Sequence, residues 1–399
     1  MSRVPLEELD TESVSNVYIF LADALRYDSL PEEVSERGTS FKTVAHALAT
    51  PQCLPTIVSG RLPPRHGVEW FIHTMPSDLP TVFDIEGHNT GYSELLWPGS
   101  ALQDVLRNPE DVDIESVKEP FVVFEHDNGG HAPYPETDAE DPEDMLRGMD
   151  PKTDIRERYR KTVSGSATRF SERLGILDDR GLLDDTLVIF MADHGQLLGE
   201  HGGFFGHGLP MTPEVAYVPT TFIHPSLPSG KRGGHLLHQV DLYPTIVQAL
   251  TDETPESDGD CLLEEVAEDR PAYSQGLMLP PDKHRGTFID PAYDARSIWT
   301  LQGGHVFVQN SKFVRCITAV YEGVLSGNTA PFNHNQNIVK TLWTTFSHYL
   351  KDYYCYGTPS LEKENARGEI ESIDTDIESV SERKLDQETK EQLADLGYH

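Results

Sequence analysis

The sequence predicts an α/β protein with a mostly parallel central sheet and helices on both of its faces. Short apolar runs alternate with stretches of helical periodicity, which is the pattern of a buried parallel sheet. The clearest runs are residues 16–22, 121–124, 186–192 and 218–224. Three of them end at polar or ionisable residues, and ligands bind beyond the carboxyl ends of strands in such sheets. We therefore expect a functional site at that edge.

The clearest helix precedes the third run. Apolar residues recur in steps of three and four from Tyr159 to Leu177, and Gly181 follows as a signal for the end of the helix. Beyond about residue 290 the pattern changes. The segments SIWTLQGGHVFVQ and KFVRCITAVY are interpreted as an antiparallel hairpin pair. The sequence thus predicts a small antiparallel addition behind the main sheet.

These patterns divide the chain into five regions. The acidic segment in the fourth region is poor in apolar residues, so we expect it to be a mobile linker, and leucine spacing predicts a helix after it. The regions are a polar N-terminal extension (1–15), the main α/β domain (16–289), a small C-terminal subdomain (290–360), an acidic linker (361–384) and a C-terminal helix (385–399).

The chain is strongly acidic. Its 399 residues include 66 acidic and 32 basic ones, a formal charge of −34. Such a charge repels phosphates, which argues against binding to nucleic acid or to an anionic membrane. The favoured interpretation is a halophilic surface, because at about 1 M salt the screening length falls to about 3 Å and the self-repulsion becomes tolerable. The alternative is binding to a cationic partner.

Cysteines and apolar stretches give no sign of secretion or membrane insertion. The four cysteines form no CxxC pair, so neither a zinc knuckle nor a disulfide framework is indicated. The N-terminus lacks the basic start and apolar run of a signal peptide. No apolar stretch approaches the roughly 18 residues that cross a bilayer. We expect a cytoplasmic protein without a membrane span.

Two acidic positions follow apolar runs. Asp193-His194-Gly195 offers a carboxylate and an imidazole beyond a buried strand, and both bind divalent cations. The structural alternative is a capping aspartate beside a structural histidine. Asp23 follows the first run, where a buried acid needs a partner that a metal could supply. The alternative for Asp23 is a helix N-cap.

Thr50 precedes a proline and a predicted helix. Its hydroxyl can therefore lie at the helix N-terminus, where the local dipole favours an alkoxide or a bound oxyanion. Alone, this is also the pattern of a capping threonine. Ser59-Gly60-Arg61 and the Pro63-Pro64 turn follow at a fixed distance.

Together these motifs resemble the alkaline phosphatase superfamily, in particular type I sulfatases and their phosphoester-cleaving relatives. The resemblance covers roughly residues 16–250, and the closing residues 393–398 are similar to the tails of archaeal-type sequences. The matching motifs are Asp23, Thr50, Ser59-Gly60-Arg61-Leu62-Pro63, His131-Ala132-Pro133-Tyr134, Asp193-His194-Gly195, Glu200 to Gly208, Val218-Pro219 and Val240 to Thr245.

The resemblance implies a three-layer alkaline phosphatase-like sandwich with one divalent metal ion. Asp23, Asp193 and His194 would bind the ion, and the Thr50 hydroxyl would complete the set and act as the nucleophile. Metal coordination would lower the pKa of the hydroxyl and polarise the ester. Ca²⁺, Mg²⁺ and Mn²⁺ are the favoured ions, with Zn²⁺ as an alternative.

The resemblance also implies substrate ligands. His131 and His207 would contact the sulfuryl or phosphoryl oxygens, and one of them would protonate the leaving group. Structural histidines are the alternative for both. Arg61, in the matched Ser-Gly-Arg segment, completes the predicted substrate-binding set.

The sequence also departs from the sulfatase pattern. The nucleophile of sulfatases is a Cys or Ser that becomes formylglycine, which a threonine cannot form, so no formylglycine is expected at Thr50. Cys53 is an alternative nucleophile with poorer spacing to Ser59. Leu54 replaces an arginine of the motif, and Ala24 replaces the second residue of the usual Asp-Asp pair.

Three functions remain open from the sequence. The leading one is a metal-dependent hydrolase of sulfate or phosphate esters that forms a covalent Thr50 ester. The second is a phosphoryl or substituted-phosphoryl transferase with a sugar or lipid acceptor. The third is a degenerate member that binds a sulfated or phosphorylated glycan without cleaving it. All three take an anionic ester as partner, and the sequence predicts no oligomeric state.

Overall fold

The computed structural model describes residues 2–96, 101–134, 145, 153–207, 210–278, 287, 290–320, 338–373, 380–385 and 387–395. A seven-stranded sheet lies at its centre. In chain order its strands are β1 (Asn16–Ala22), β2 (Thr39–Val44), β3 (Asn89–Glu94), β4 (Phe121–Asp127), β5 (Thr186–Met191), β6 (Tyr217–Ile223) and β7 (Lys231–His238). Across the sheet the order is β7-β2-β6-β5-β1-β4-β3.

The sheet is mostly parallel, as predicted, but β6 runs antiparallel to both β2 and β5. The interpretation of residues 218–224 as a further parallel strand is therefore wrong in direction. Among the described residues between β5 and β6, the only helix is the single turn Pro213–Ala216. Without a crossover helix, the chain re-enters the sheet from the edge at which β5 ends.

The longer helices lie on both faces of this sheet and against the smaller one. In chain order they are α1 (Thr50–Ser59), α2 (Asp154–Asp179), α3 (Leu242–Thr251), α4 (Lys312–Val320), α5 (Ile338–Tyr349), α6 (Lys363–Ser372) and α7 (Gln387–Asp395). The shorter helical turns are Thr11–Ser13, Tyr27–Ser29, Glu32–Ser35, Pro63–His66, Val82–Asp84, Ala101–Val105, Leu183–Asp185, Pro213–Ala216 and Gln239–Asp241. Two-residue strands pair as Ser2–Arg3 with Val266–Ala267, His73–Thr74 with Ser381–Glu382, and Leu197–Leu198 with Phe205–Gly206.

Two apolar clusters show how the layers form. In β1, Val17 and Ile19 point into the cluster that contains α1 and α3, whereas Tyr18 and Phe20 point into the cluster that contains α2. This alternation is expected of a strand buried on both faces. The predicted periodicity of α2 is confirmed, because its residues from Tyr159 to Leu177 at that spacing are buried. The result is the expected three-layer sandwich.

A separate four-stranded antiparallel sheet forms the predicted C-terminal addition. Its strands are β8 (Ala272–Met278), β9 (Tyr293–Thr300), β10 (Gly303–Val308) and β11 (Tyr353–Gly357), in that spatial order. The hairpin lies within SIWTLQGGHVFVQ itself, as β9 and β10. The prediction that KFVRCITAVY is its partner strand is wrong, because Lys312–Val320 forms α4 and buries one side of a helix at Val314, Thr318 and Ala319.

The acidic segment expected to be a linker contains a helix where the structure describes it. Ala366 and Ile370 of α6 are buried against Ile298 and Phe307 of the small sheet. The four-residue spacing of the two buried side chains gives α6 an apolar stripe despite its acidic composition. Residues 374–379 of the predicted linker lie outside the described residues, and the division of the chain into five regions stays a prediction.

Both ends of the described chain contact the main apolar cluster. Leu6 and Val14, in the segment predicted to be a polar extension, are buried there, as is Leu393 of α7. Residues 396–399 of the predicted C-terminal helix lie outside the described part. Among the described helices, none combines the length and apolar character that a membrane crossing requires.

Candidate metal and nucleophile site

Asp23 lies directly beyond β1 and is 5% exposed. Its backbone is fixed from β4, because its N–H donates to the carbonyl of Asp127 at 2.9 Å and its carbonyl accepts from Gly130 N–H at 2.7 Å. The next residue, Ala24, has a φ of 57°. A left-handed alanine is strained, and strain of this kind is tolerated where the surroundings hold the backbone. The turn points the Asp23 carboxylate across the edge of the sheet toward α1.

Asp193 and His194 follow β5 and are fully buried. One carboxylate oxygen of Asp193, Oδ1, accepts hydrogen bonds from the backbone N–H groups of His194 at 2.8 Å and Ala24 at 3.2 Å. The other oxygen, Oδ2, has no hydrogen-bond partner among the described residues. Gly195 is required here, since a Cβ at that position would lie 2.0 Å from the carbonyl oxygen of Glu214.

Thr50 begins α1 and is 1% exposed. Pro51 occupies the first turn, where its missing N–H costs nothing. The Thr50 hydroxyl lies 3.4 Å from Asp23 Oδ2 and 3.3 Å from His194 Nε2. Three chain segments that are remote in sequence therefore converge at the N-terminus of α1, where the helix dipole favours negative charge.

The convergent group fits a divalent cation. One ligand atom from each of Asp23, Asp193 and His194 lies within 4.8 Å of the others. Asp23 Oδ1 and Asp193 Oδ2 are buried and have no hydrogen-bond partner among the described residues, so a cation would compensate both. Two carboxylates and an imidazole are a donor set for Mn²⁺, Mg²⁺, Ca²⁺ or Zn²⁺.

Electrostatics support the same conclusion. Burial raises the pKa of Asp193, and the charge of Asp23 raises it further. Burial also raises the pKa of Asp23, but His131 and His126 outweigh it and hold this pKa well below its usual range. Two buried carboxylates so close together repel each other, and a shared divalent ion would relieve that repulsion.

The predicted substrate histidines contact each other beside this group. His131 Nε2 lies 3.1 Å from His207 Nε2, and the His207 ring stacks on His194 with centroids 4.2 Å apart. His207 Nδ1 lies 2.6 Å from the carbonyl oxygen of Leu48, so it carries a proton and donates it. Burial lowers the pKa of His207 well below its usual value, as do His194 and His131. The unprotonated Nε2 of His207 can then accept a hydrogen bond from His131, so one proton lies between the two rings.

Arg61 lies elsewhere. It follows Gly60 at the C-terminal end of α1, and the ten-residue helix separates it by about 15 Å from the end that carries Thr50. Its guanidinium pairs with Glu256 at 2.7 Å and Asp258 at 3.4 Å. This arrangement gives Arg61 a structural role in fastening the end of α1, so we do not retain it as a substrate ligand.

Cys53 is a poor nucleophile in this structure. It lies one turn after Thr50 on α1 and is completely buried. Burial raises the pKa of its thiol well above the usual value, and the charge of Asp193 raises it further. A thiol in such surroundings is inert, and the geometry favours the Thr50 hydroxyl.

Sequence reasoning missed His126, which contacts Asp23, and the two residues behind it. His126, inside β4, lies with Nε2 3.2 Å from Asp23 Oδ2. On its other side are Tyr92, at 3.0 Å, and Glu94, at 3.8 Å. Although burial opposes it, hydrogen bonding to Asp23 and Glu94 raises the pKa of His126 to about 10. The one signal for His126 in the sequence is that the apolar run 121–124 is followed by ionisable residues, Glu125, His126 and Asp127.

The fold and the site define a sulfatase-like member of the alkaline phosphatase superfamily. Residues 89–252 match the sequence model of the Sulfatase family. The chain is 32% identical over 406 aligned positions to the low-salt glycan biosynthesis sulfotransferase Agl7 of Haloferax volcanii, covering 99% of each chain. On this evidence the chain belongs to the sulfatase family.

Other similarities are more partial. The multifunctional alkaline phosphatase superfamily protein PehA of Trinickia caryophylli is 32% identical over 128 residues, 29% of this chain and 23% of that protein. Among solved structures, the phosphonate monoester hydrolase of Agrobacterium radiobacter superposes with a TM-score of 0.58 at 15% identity, over 74% of this chain and 89% of the other. A 2-O GAG sulfatase gives a TM-score of 0.54 at 15% identity, over 74% and 83%. These structural likenesses establish the fold.

Proposed function

We propose that this chain is a divalent-metal-dependent enzyme that transfers the sulfuryl group of a sulfate ester to a glycan hydroxyl through a covalent Thr50 ester. The observation that carries the proposal is the buried Thr50 hydroxyl, 3.4 Å from Asp23 and 3.3 Å from His194. The acceptor class is suggested by the relative of matching length, which is named a glycan biosynthesis sulfotransferase.

In the first step the Thr50 hydroxyl attacks the sulfur of the donor. Its proton leaves to solvent, because the low pKa of Asp23, whose Oδ2 lies 3.4 Å away, keeps that carboxylate ionised. The bond between sulfur and the leaving oxygen breaks, and that oxygen takes a proton from the His131–His207 pair, which enters the step with one extra proton, as an imidazolium that the anionic donor stabilises. The products are a Thr50 sulfate ester and the free donor alcohol. A bound divalent ion, held by Asp23, Asp193 and His194, would supply Lewis acidity at the sulfuryl oxygens.

In the second step the Thr50 ester must be attacked at sulfur by another oxygen. A threonine ester has no second hydroxyl on its carbon, so it cannot expel sulfate by collapsing to an aldehyde. An acceptor hydroxyl therefore bonds to sulfur, the Thr50 oxygen leaves and regains its proton, and the acceptor proton returns to the histidine pair. The enzyme acts as a transferase if the acceptor is a sugar hydroxyl and as a hydrolase if it is water.

Hydrolysis of sulfate or phosphate esters is the second candidate. It is favoured by the nucleophile, because a threonine hydroxyl needs no conversion to formylglycine to attack a phosphate ester. The carboxylate pair, through a bound metal ion, and the histidines would serve a phosphate ester as well as a sulfate ester. The two candidates share the first step and differ in the acceptor alone.

A non-catalytic glycan-binding protein is the third candidate, motivated by Ala24 and Leu54. The Ala24 backbone N–H is nevertheless used to fix Asp193. The absence of an aspartate side chain at position 24 thus leaves the group of Asp23, Asp193 and His194 intact. An intact candidate metal group argues against a site that has lost its catalytic function.

One assay separates the candidates. The purified chain in high salt with Mn²⁺ is given an aryl sulfate or an aryl phosphate, with and without a mixture of neutral oligosaccharides. Sulfated oligosaccharide formed from aryl sulfate would support the transferase, and free sulfate or phosphate regardless of acceptor would support the hydrolase. Removal of the metal with EDTA should stop either reaction. No turnover of either ester under any of these conditions contradicts the enzymatic proposal.

A further inference from the structure

The two carboxylate oxygens of Asp23 have different surroundings. Oδ1 lies 3.5 Å from His194 Nε2 and has no hydrogen-bond partner among the described residues. Oδ2 contacts His126 Nε2 at 3.2 Å and the Thr50 hydroxyl at 3.4 Å. The carboxylate therefore has one oxygen directed at the predicted metal position and one directed at neighbouring donors. Something must prevent it from rotating, since a carboxylate torsion is soft.

His126 is itself held from its far side. The Tyr92 hydroxyl donates to Glu94 at 3.3 Å, so its oxygen is left to accept from His126 Nδ1 at 3.0 Å. Asp23 Oδ2 is an acceptor as well, so His126 Nε2 must donate to it. The imidazole is 9% exposed, and the Tyr92 ring is completely buried. Hydrogen bonds at both nitrogens and this packing fix the plane of the imidazole.

We propose that His126 is a positioning residue that holds Oδ2 of Asp23 and so presents Oδ1 to the metal ion. The inference rests on the proposed function, because it concerns the metal of that same site. Residues that orient metal ligands in this way commonly contribute 10- to 100-fold to metal affinity. His126 itself stays out of the coordination group, because its Nε2 is committed to Asp23.

The inference is tested on Mn²⁺ affinity, measured by calorimetry and by the EPR signal of free Mn²⁺, with no substrate present. His126→Leu removes both donors and should weaken binding about 10- to 100-fold. His126→Gln places an amide N–H near the position of Nε2 and should restore most of the affinity. Asp23→Asn serves as the control for loss of a ligand, and the melting temperature of each metal-free variant monitors folding.

The outcomes are distinct. If the wild-type chain binds no Mn²⁺, Zn²⁺, Mg²⁺ or Ca²⁺, the proposed metal site itself is wrong. If the wild type binds and a folded His126→Leu variant binds equally well, only the role of His126 is overturned, and equal loss in His126→Leu and His126→Gln overturns it too. Should His126→Leu not fold, Tyr92→Phe decides, because it removes the acceptor at His126 Nδ1, together with the Tyr92 hydrogen bond to Glu94, and leaves the Nε2 donor in place. It should weaken binding less than tenfold but measurably, and unchanged affinity counts against the inference.

Discussion

Ala24 replaces the second aspartate expected from the sulfatase pattern, and its backbone takes part in building the site. Its N–H donates to Asp193, and its carbonyl accepts from the Tyr159 hydroxyl at 2.9 Å. The same hydroxyl accepts from the Arg26 N–H at 3.0 Å. These contacts hold the left-handed alanine and hence the turn that directs Asp23. The backbone of residue 24 thus helps to hold the three candidate ligands together although its side chain offers no ligand.

Thr50 gives the sharpest prediction at the residue scale. Thr50→Ala removes the hydroxyl that forms the covalent ester, so turnover should fall by a factor of at least about 10³. Thr50→Ser keeps a hydroxyl at the same position and should retain measurable turnover. Rates are measured with the ester that the wild type prefers, and a sulfuryl or phosphoryl adduct on the peptide that carries residue 50 is sought by mass spectrometry.

Cys53→Ala is the matched control, since it changes the next turn of α1 without touching the hydroxyl. It should stay active. Full activity in Thr50→Ala, or loss of activity in Cys53→Ala with normal folding, would transfer the nucleophilic role away from Thr50.

At the scale of elements, α2 holds the end of β4 from behind the sheet. Arg169 of α2 reaches across to Asp127, which is completely buried at the end of β4, with Nε 2.5 Å and Nη2 3.0 Å from its oxygens. Nη2 also donates to Asn128 at 3.2 Å. The loop that begins here carries His131, so this ion pair supports the segment that brings His131 beside His207.

Arg169→Met should destabilise the fold by leaving Asp127 buried without its cation. Removal of one partner from a buried pair costs about 3–5 kcal/mol, and the 28% exposure of Arg169 places the expected loss near the lower end, at about 3 kcal/mol. The free energy of unfolding is measured with denaturant in high salt. Arg169→Met combined with Asp127→Asn should recover part of the loss, and a single variant as stable as the wild type contradicts the role of the pair.

The strand ends were the most predictable elements. Asp23 and Asp193 follow long apolar runs, and the topology of a parallel sheet brings such ends together whatever their distance in sequence. His126 escaped notice because it lies inside a strand, where polar residues usually only face solvent or a neighbour. The β-branched residues of segment 312–320 favour a strand locally, so the sequence predicts a strand there. Packing against the small sheet selects a helix instead. The contact of His131 with His207 depends on the path of two loops, and the sequence brought the two residues to one substrate only through the family resemblance.

At the scale of the whole molecule, the dominant property is the charge of −34. Several of the few basic side chains already pair with buried or partly buried carboxylates inside the protein. Arg26, for example, pairs with Glu200 at 2.7 Å. The excess carboxylates must therefore be balanced from solution. Apolar clusters on both faces of the sheet oppose the resulting repulsion.

The last prediction follows from this balance. At 0.1 M salt the screening length is about 10 Å and neighbouring carboxylates repel one another, whereas at 1 M it is about 3 Å. The melting temperature should therefore rise by several degrees between 0.1 and 2 M KCl, and unfolding below about 0.5 M should reverse when salt is restored. Circular dichroism measures both effects. Sucrose is the control, because it stabilises by exclusion from the surface without screening charge. At 0.1 M KCl it should restore less stability than 2 M KCl, and a melting temperature independent of KCl would show that the acidic surface serves another purpose, such as binding a cationic partner.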